Sequence, residues 1–191
     1  MKRSFGGVLL FVATFLVFVI QPVHAEDRPY QRSIVSLSIP DVVLVNQEGE
    51  KVRLRTYLES DLPVAVDFIY ATCTTICPIL SAGFTNLQRQ LGDDSGRFRL
   101  VSITIDPEHD SPEIMKDYLD RYRAKQGWDF LTGSRADINR VMEGFDAYFP
   151  EKMSHRPLYF VRTGEAGRWV RIEGMVDGQS LLKEIDNTVN K

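Results

Sequence analysis

Pro63-Val64-Ala65-Val66-Asp67-Phe68-Ile69-Tyr70, running on into Ala71-Thr72-Cys73-Thr74-Thr75-Ile76-Cys77-Pro78, is the stretch on which the fold turns. Its first eight residues are apolar but for Asp67 and rich in branched and aromatic side chains, which predicts a central strand. Beyond Cys77-Pro78, the apolar residues Leu80, Phe84, Leu87 and Leu91 recur at helical spacing over Ile79 to Leu91, and Gly92 follows as a stop. Pro78 suits a first helical turn, where a missing N–H costs little. Both cysteines therefore fall where a central strand hands over to a helix, the edge at which open α/β folds place their sites.

Working outward, Phe98 to Ile105 predicts a second strand ended by Asp106-Pro107, and Ser111-Pro112 opens a helix through Tyr122 with serine as its cap. Ser134-Arg135-Ala136-Asp137 resembles a capping box ahead of Ile138, Val141, Met142 and Phe145. Leu158 to Val161 and Arg168 to Ile172 predict a hairpin around Thr163–Gly167, and Leu181, Leu182, Ile185 and Val189 an amphipathic last helix. Toward the amino terminus, Val42 to Val45 and Val52 to Arg55 predict a hairpin across a turn containing Gly49, and residues 26–38 an extended lead-in. The order β-α-β-α-α-β-β-α after an initial hairpin predicts an α/β sandwich: a mixed central sheet with helices on both faces.

The chain has 191 residues, enough for one domain with a real core, and a near-average composition that argues against disorder or a disulfide-dense scaffold. Its 23 Lys and Arg against 26 Asp and Glu leave no basic surplus for phosphates, so nucleic acid is not expected as a partner. Met1-Lys2-Arg3, the apolar run Val8 to Ile20 and Val23-His24-Ala25 have the three parts of a secretory signal over residues 1–25, with an uncleaved membrane anchor as the alternative. Either way the domain, residues 39–191, is expected to be periplasmic or otherwise exported. Cleavage after Ala25 would remove Lys2, Arg3 and His24, leaving 166 residues at net charge −5 with Cys73, Cys77, His109 and His155.

If the cysteine segment is helical, Cys73 and Cys77 share one face about 6 Å apart, a spacing open to a structural disulfide, a redox couple or a metal clamp. A helix start favours thiolates. Taken alone, His155 reads as a surface or hydrogen-bonded histidine; with the two thiolates it would complete an S,S,N set, which suits Cu(I), whereas zinc would want a fourth ligand. Met153 is soft too, but reads as apolar filler.

Residues Phe68 to Pro78 resemble the cysteine motif of the Sco/SenC copper proteins. Val101 to Pro112 resembles their second signature strand and turn, and Ser154-His155 with Pro157-Leu158-Tyr159 their histidine segment; the likeness runs in order from about Leu37 to Ile185. The resemblance implies a thioredoxin-like domain that binds copper through Cys73, Cys77 and His155. It further implies delivery of copper to, or thiol reduction at, the copper-bearing subunit of cytochrome c oxidase, or another exported copper or thiol protein. His109 lies in the turn and is not expected to be a ligand. Thr74-Thr75-Ile76 departs from the family pattern, which carries an acidic residue between the cysteines. Val66-Asp67-Phe68 resembles thioredoxin itself, so Asp67 is a candidate base, against the alternative of a salt-bridged or edge-exposed aspartate. Two activities stay open: a copper metallochaperone, and a thiol-disulfide oxidoreductase with Cys73 attacking and Cys77 resolving. A thiol peroxidase is a weaker third.

Overall fold

The computed structural model describes residues 29–92, 94, 98–162 and 168–189. The signal or anchor expected over 1–25 and the hairpin turn 163–167 lie outside the described residues. No helix among the described residues is long and apolar enough to cross a membrane.

Six strands make one mixed sheet in the order β1 (Tyr30–Ser36), β8 (Arg168–Gly174), β7 (Leu158–Arg162), β4 (Val64–Ile69), β5 (Arg99–Thr104), β6 (Trp128–Leu131). β4 is the fully buried strand that its apolar run predicts. It is parallel to β5 and antiparallel to β7, while β5 is parallel to β6. The crossover helices α2 (Cys77–Leu91) and α3 (Pro112–Arg121) step the sheet in the same direction, so right-handed connections lay both on one face. The terminal helix α5 (Gly178–Val189) packs beside α2. On this face α2 lies so close to β7 that a Cβ at Gly83 would sit 2.5 Å from the Tyr159 hydroxyl, which donates instead to the Leu80 carbonyl.

The opposite face carries Phe68 and Phe160, which meet Phe145 at the end of α4 (Arg135–Gly144) with ring centroids 5.4 and 5.1 Å apart. Helices thus cover both faces, and the expected thioredoxin-like sandwich is what the chain forms. Both expected serine caps are present: Ser111 accepts from the Ile114 N–H and Ser134 from the Asp137 N–H.

Four local expectations need correction. The second arm of the amino-terminal hairpin stops at Arg53, because Leu54 and Leu58 turn inward on a short helix, α1 (Leu54–Leu58); β2 (Val43–Val45) and β3 (Lys51–Arg53) form a separate two-stranded sheet. Gly49, at φ +79°, makes their turn, and the Asn46 side chain accepts from the Glu48 and Glu50 N–H groups inside it. The lead-in is more than extended: its residues 30–36 pair along all of β8 as an edge strand. β6 is a strand that the sequence pattern does not announce. Finally, α2 begins only at Cys77, so Cys73 lies in the preceding turn rather than on a shared helical face.

Candidate metal and thiol centre

β4 and β7 are antiparallel neighbours, so the carboxyl end of one meets the amino end of the other. Cys73 and Cys77 follow the first end and His155 precedes the second. The sulfurs and a His155 ring nitrogen all lie within 4.8 Å of one another, the one such metal-competent trio found among the described residues. Cys77 Sγ is 3.3 Å from His155 Nε2, and the Cys77 backbone N–H donates to Cys73 Sγ at 3.5 Å, so the first thiol caps the helix that begins with the second. Both cysteines are free thiols.

The histidine is fixed by its backbone neighbour. His155 Nδ1 lies 2.7 Å from the Lys152 carbonyl, which can only accept, so Nδ1 carries the proton and the Nε2 lone pair faces the sulfurs. Burial lowers the pKa of His155 below its ordinary 6.5, which keeps the ring neutral at neutral pH. The ring also meets Tyr70 edge-on, with centroids 5.3 Å apart.

The two thiols differ. Burial pushes the Cys73 pKa up, but hydrogen bonds from Cys77 and Thr75 outweigh it and bring the group down to about 7. Burial drives Cys77 far up, and the hydrogen bond to Cys73 adds to this, so Cys77 holds its proton. Cys73 is 6% exposed and Cys77 fully buried. An open groove of about 700 Å³ reaches Cys73 past Thr74, Ile114 and Asp117.

Asp67 is fully buried and neither of its oxygens has a hydrogen-bond partner among the described residues, so the salt-bridged and edge-exposed readings fail. Burial raises it from 3.8 to about 8; Ser102 lies opposite it in register on β5, its hydroxyl oxygen accepting from the Trp128 indole N–H. When ionised, Asp67 adds to the upward push on Cys77.

Two carboxylates that the sequence does not single out brace the site. Asp110, fully buried, accepts from the Ala71 N–H at 3.2 Å and from the Thr104 hydroxyl, tying the cysteine turn to the loop after β5. Asp106 takes Lys152 Nζ at 2.5 Å and His109 Nδ1 at 3.0 Å. Burial alone would raise the Asp106 pKa, but Lys152 and His109 hold it below the usual range. His109 is thus paired with Asp106 and lies outside the sulfur and nitrogen trio, as expected. Met153 corrects the filler reading: it is 71% exposed, and its sulfur accepts from the Tyr70 hydroxyl at 3.1 Å. A 3₁₀ turn, Lys152–Ser154, runs up to His155 and carries Met153 out to solvent, and even a continued strand would have put residues 153 and 155 on one face, because strand side chains repeat every second residue.

A model of the SCO1/SenC family matches residues 37–189. The chain belongs to the SCO1/SenC family. It is 39% identical over 105 residues to the SCO1 protein homolog of Bacillus subtilis (strain 168), covering 53% of each chain. It spans about half the length of the curated relatives it matches. Among solved structures it is similar to BsSco, described as a member of the Sco family of cytochrome c oxidase assembly proteins with a disulfide switch: 25% identical, TM-score 0.67, covering 82% of this chain and 95% of that one. The fold is shared also with copper-bound ScoI of Bradyrhizobium japonicum, at 23% identity and TM-score 0.66 over 80% and 100% of the two chains.

The trio fits a soft monovalent ion. Three ligands at about 2.0–2.3 Å from one centre stand about 3.5–4.0 Å apart, so the longest side needs to close by only about 1 Å. Two sulfurs and one neutral imidazole suit Cu(I), and zinc would still lack a fourth protein ligand.

Proposed function

We propose that this SCO1/SenC chain is an exported copper carrier that delivers its ion for assembly of the copper centre in cytochrome c oxidase. The observation that carries this reading is the convergence of Cys73, Cys77 and His155 with the Nε2 lone pair already aimed at Cys77. Copper bound in relatives of the same fold and the description of BsSco support it. Copper is cargo here. The Cys73 thiolate, the Cys77 sulfur and His155 Nε2 take the ion, the Cys77 proton leaves as it enters, and three ligands leave it open to exchange onto a partner. The reduced chain titrated with Cu(I) against a competing chelator is expected to take one equivalent. His155→Ala should weaken that binding by more than the roughly 10–100-fold that loss of an outer-shell partner costs. Unchanged affinity in the mutant would remove His155 from the site. Export rests on the segment 1–25 and is tested by fractionating cells that express the full chain.

The asymmetry of the two thiols favours one second reading, a thiol-disulfide oxidoreductase. The Cys73 thiolate attacks a partner disulfide and one partner sulfur leaves as thiolate. Cys77, losing its proton to the ionised form of Asp67, which grows as pH rises toward 8, then attacks the Cys73 sulfur and releases the second partner sulfur, so that the partner is reduced and Cys73–Cys77 oxidised. Cys77→Ser should trap mixed disulfides and Cys73→Ser should not. This activity has no need of His155, so His155→Ala separates the two readings.

A further inference from the structure

Cys73, Cys77 and His155 are 6%, 0% and 7% exposed, so an arriving copper ion meets other atoms first. On the His155 side the outermost soft donor is Met153. It is the most exposed of the four described methionines, Met115 and Met142 being buried and Met175 42% exposed. Its sulfur is held in place: the Tyr70 hydroxyl donates to it at 3.1 Å, the same tyrosine's ring abuts His155, and its carbonyl accepts from the Cys73 N–H at 3.1 Å. The turn Lys152–Ser154 carries both Met153 and the carbonyl that orients His155, and Lys152 anchors that turn to Asp106. A thioether is soft, uncharged at any pH and a weaker ligand than a thiolate, which suits a donor that must take an ion and give it up.

We propose that Met153 is the outer station of the copper path, binding Cu(I) before the Cys73, Cys77 and His155 set and again as the ion leaves. The inference rests on the copper reading of that set. No electrons move. Cu(I) exchanges a ligand of its donor for the Met153 sulfur, breaking the hydrogen bond from Tyr70. It then forms bonds to the Cys73 thiolate, the Cys77 sulfur and His155 Nε2 while the Cys77 proton passes to solvent. The Cu–thioether bond breaks and the Tyr70 hydrogen bond re-forms.

The test mixes the reduced full chain with Cu(I) bicinchoninate in stopped flow and follows loss of the chelate colour, then runs the reverse with excess chelator. Met153→Leu, near-isosteric at an exposed position, is expected to slow both loading and release by about tenfold, since a shared station lies on both routes. X-ray absorption of the Cu(I) form gives a second readout. In His155→Ala the thioether should move in and give three sulfurs about the copper, and His155→Ala with Met153→Leu should give two. Equal rates for wild type and Met153→Leu, or a sulfur count that ignores residue 153, overturn the proposal. A wild-type chain that takes no copper from the chelate overturns the reading of the site itself, a different result from copper that binds with unchanged rates.

Discussion

Two sulfurs four residues apart carry unequal protons because one accepts the first helical N–H and the other is fully buried. With Cys73 lowered to about 7 and Cys77 driven far up, iodoacetamide labelling followed by peptide mapping should modify Cys73 first. Its rate should climb through a midpoint near pH 7, with Cys77 lagging throughout. Asp67 has the opposite character. Its pKa is raised by burial from 3.8 to about 8, so the folded chain binds the proton more tightly than the unfolded one. Stability is therefore greatest below about pH 4 as far as this group is concerned, and falls as pH rises toward 8. Asp67→Asn should remove that slope and stabilise the fold at pH 7 by roughly 2–4 kcal/mol, since each tenfold difference in proton affinity between the folded and unfolded chains is worth about 1.4 kcal/mol. Urea midpoints for both proteins between pH 5 and 8 check this; parallel curves would deny Asp67 its raised value.

At the scale of elements, the site is held by a turn and two loops rather than by the strands that flank it. Lys152 links them, because its ammonium binds Asp106 in the loop after β5 and its carbonyl fixes the His155 tautomer. Asp106→Asn leaves the shape of residue 106 but removes its charge. The expected result is a mixture of Nδ1–H and Nε2–H forms in the ring nitrogen shifts of His155, with Cu(I) affinity about tenfold lower. A ring that stays wholly Nδ1–H would show that the turn needs no help from Asp106.

None of this bracing is legible along the chain. Asp106-Pro107 marks the end of a strand, and nothing in it announces a lysine 46 residues away. What is legible is periodic or punctuated: the apolar run of β4, the helical spacing of α2, the serine-proline start of α3 and the serine cap of α4. β6 has four residues and α1 five, too few for a period to emerge. Cys73, Cys77 and His155 stand out by residue type and by likeness to a family. Their convergence, however, depends on the antiparallel register of β4 and β7, which no local pattern encodes. Met153 misleads because residue type alone reads a methionine as core filler, whereas the 3₁₀ turn that carries it leaves it exposed.

Across the whole molecule, the added edge matters as much as the centre. β1 precedes the family match, yet it pairs with β8 in register from Tyr30 to Ser36. Its polar, mostly exposed side chains hide it from a search for apolar alternation. Arg32 Nε reaches Glu184 on α5 at 2.7 Å, and that carboxylate is 2% exposed, so edge strand and last helix are joined through a nearly buried charge. Arg32→Ala should cost about 1–3 kcal/mol, less than a fully buried pair because Arg32 keeps some contact with water. Adding Glu184→Leu should recover part of the loss in the same denaturation curve, and no loss in Arg32→Ala would mean that the pair is thermodynamically silent.

The meeting of the β4 and β7 ends also turns a bound ion into a fastener. Cys77 and His155 stand 78 positions apart, and α2, β5, α3, β6 and α4 all lie between them. An ion shared by both residues closes that length into a ring, and a permanent crosslink of such a loop restricts the unfolded chain by about 4–5 kcal/mol. The copper-loaded chain is therefore expected to be sturdier against proteases and heat than the empty one, and loss of the ion would open the ring.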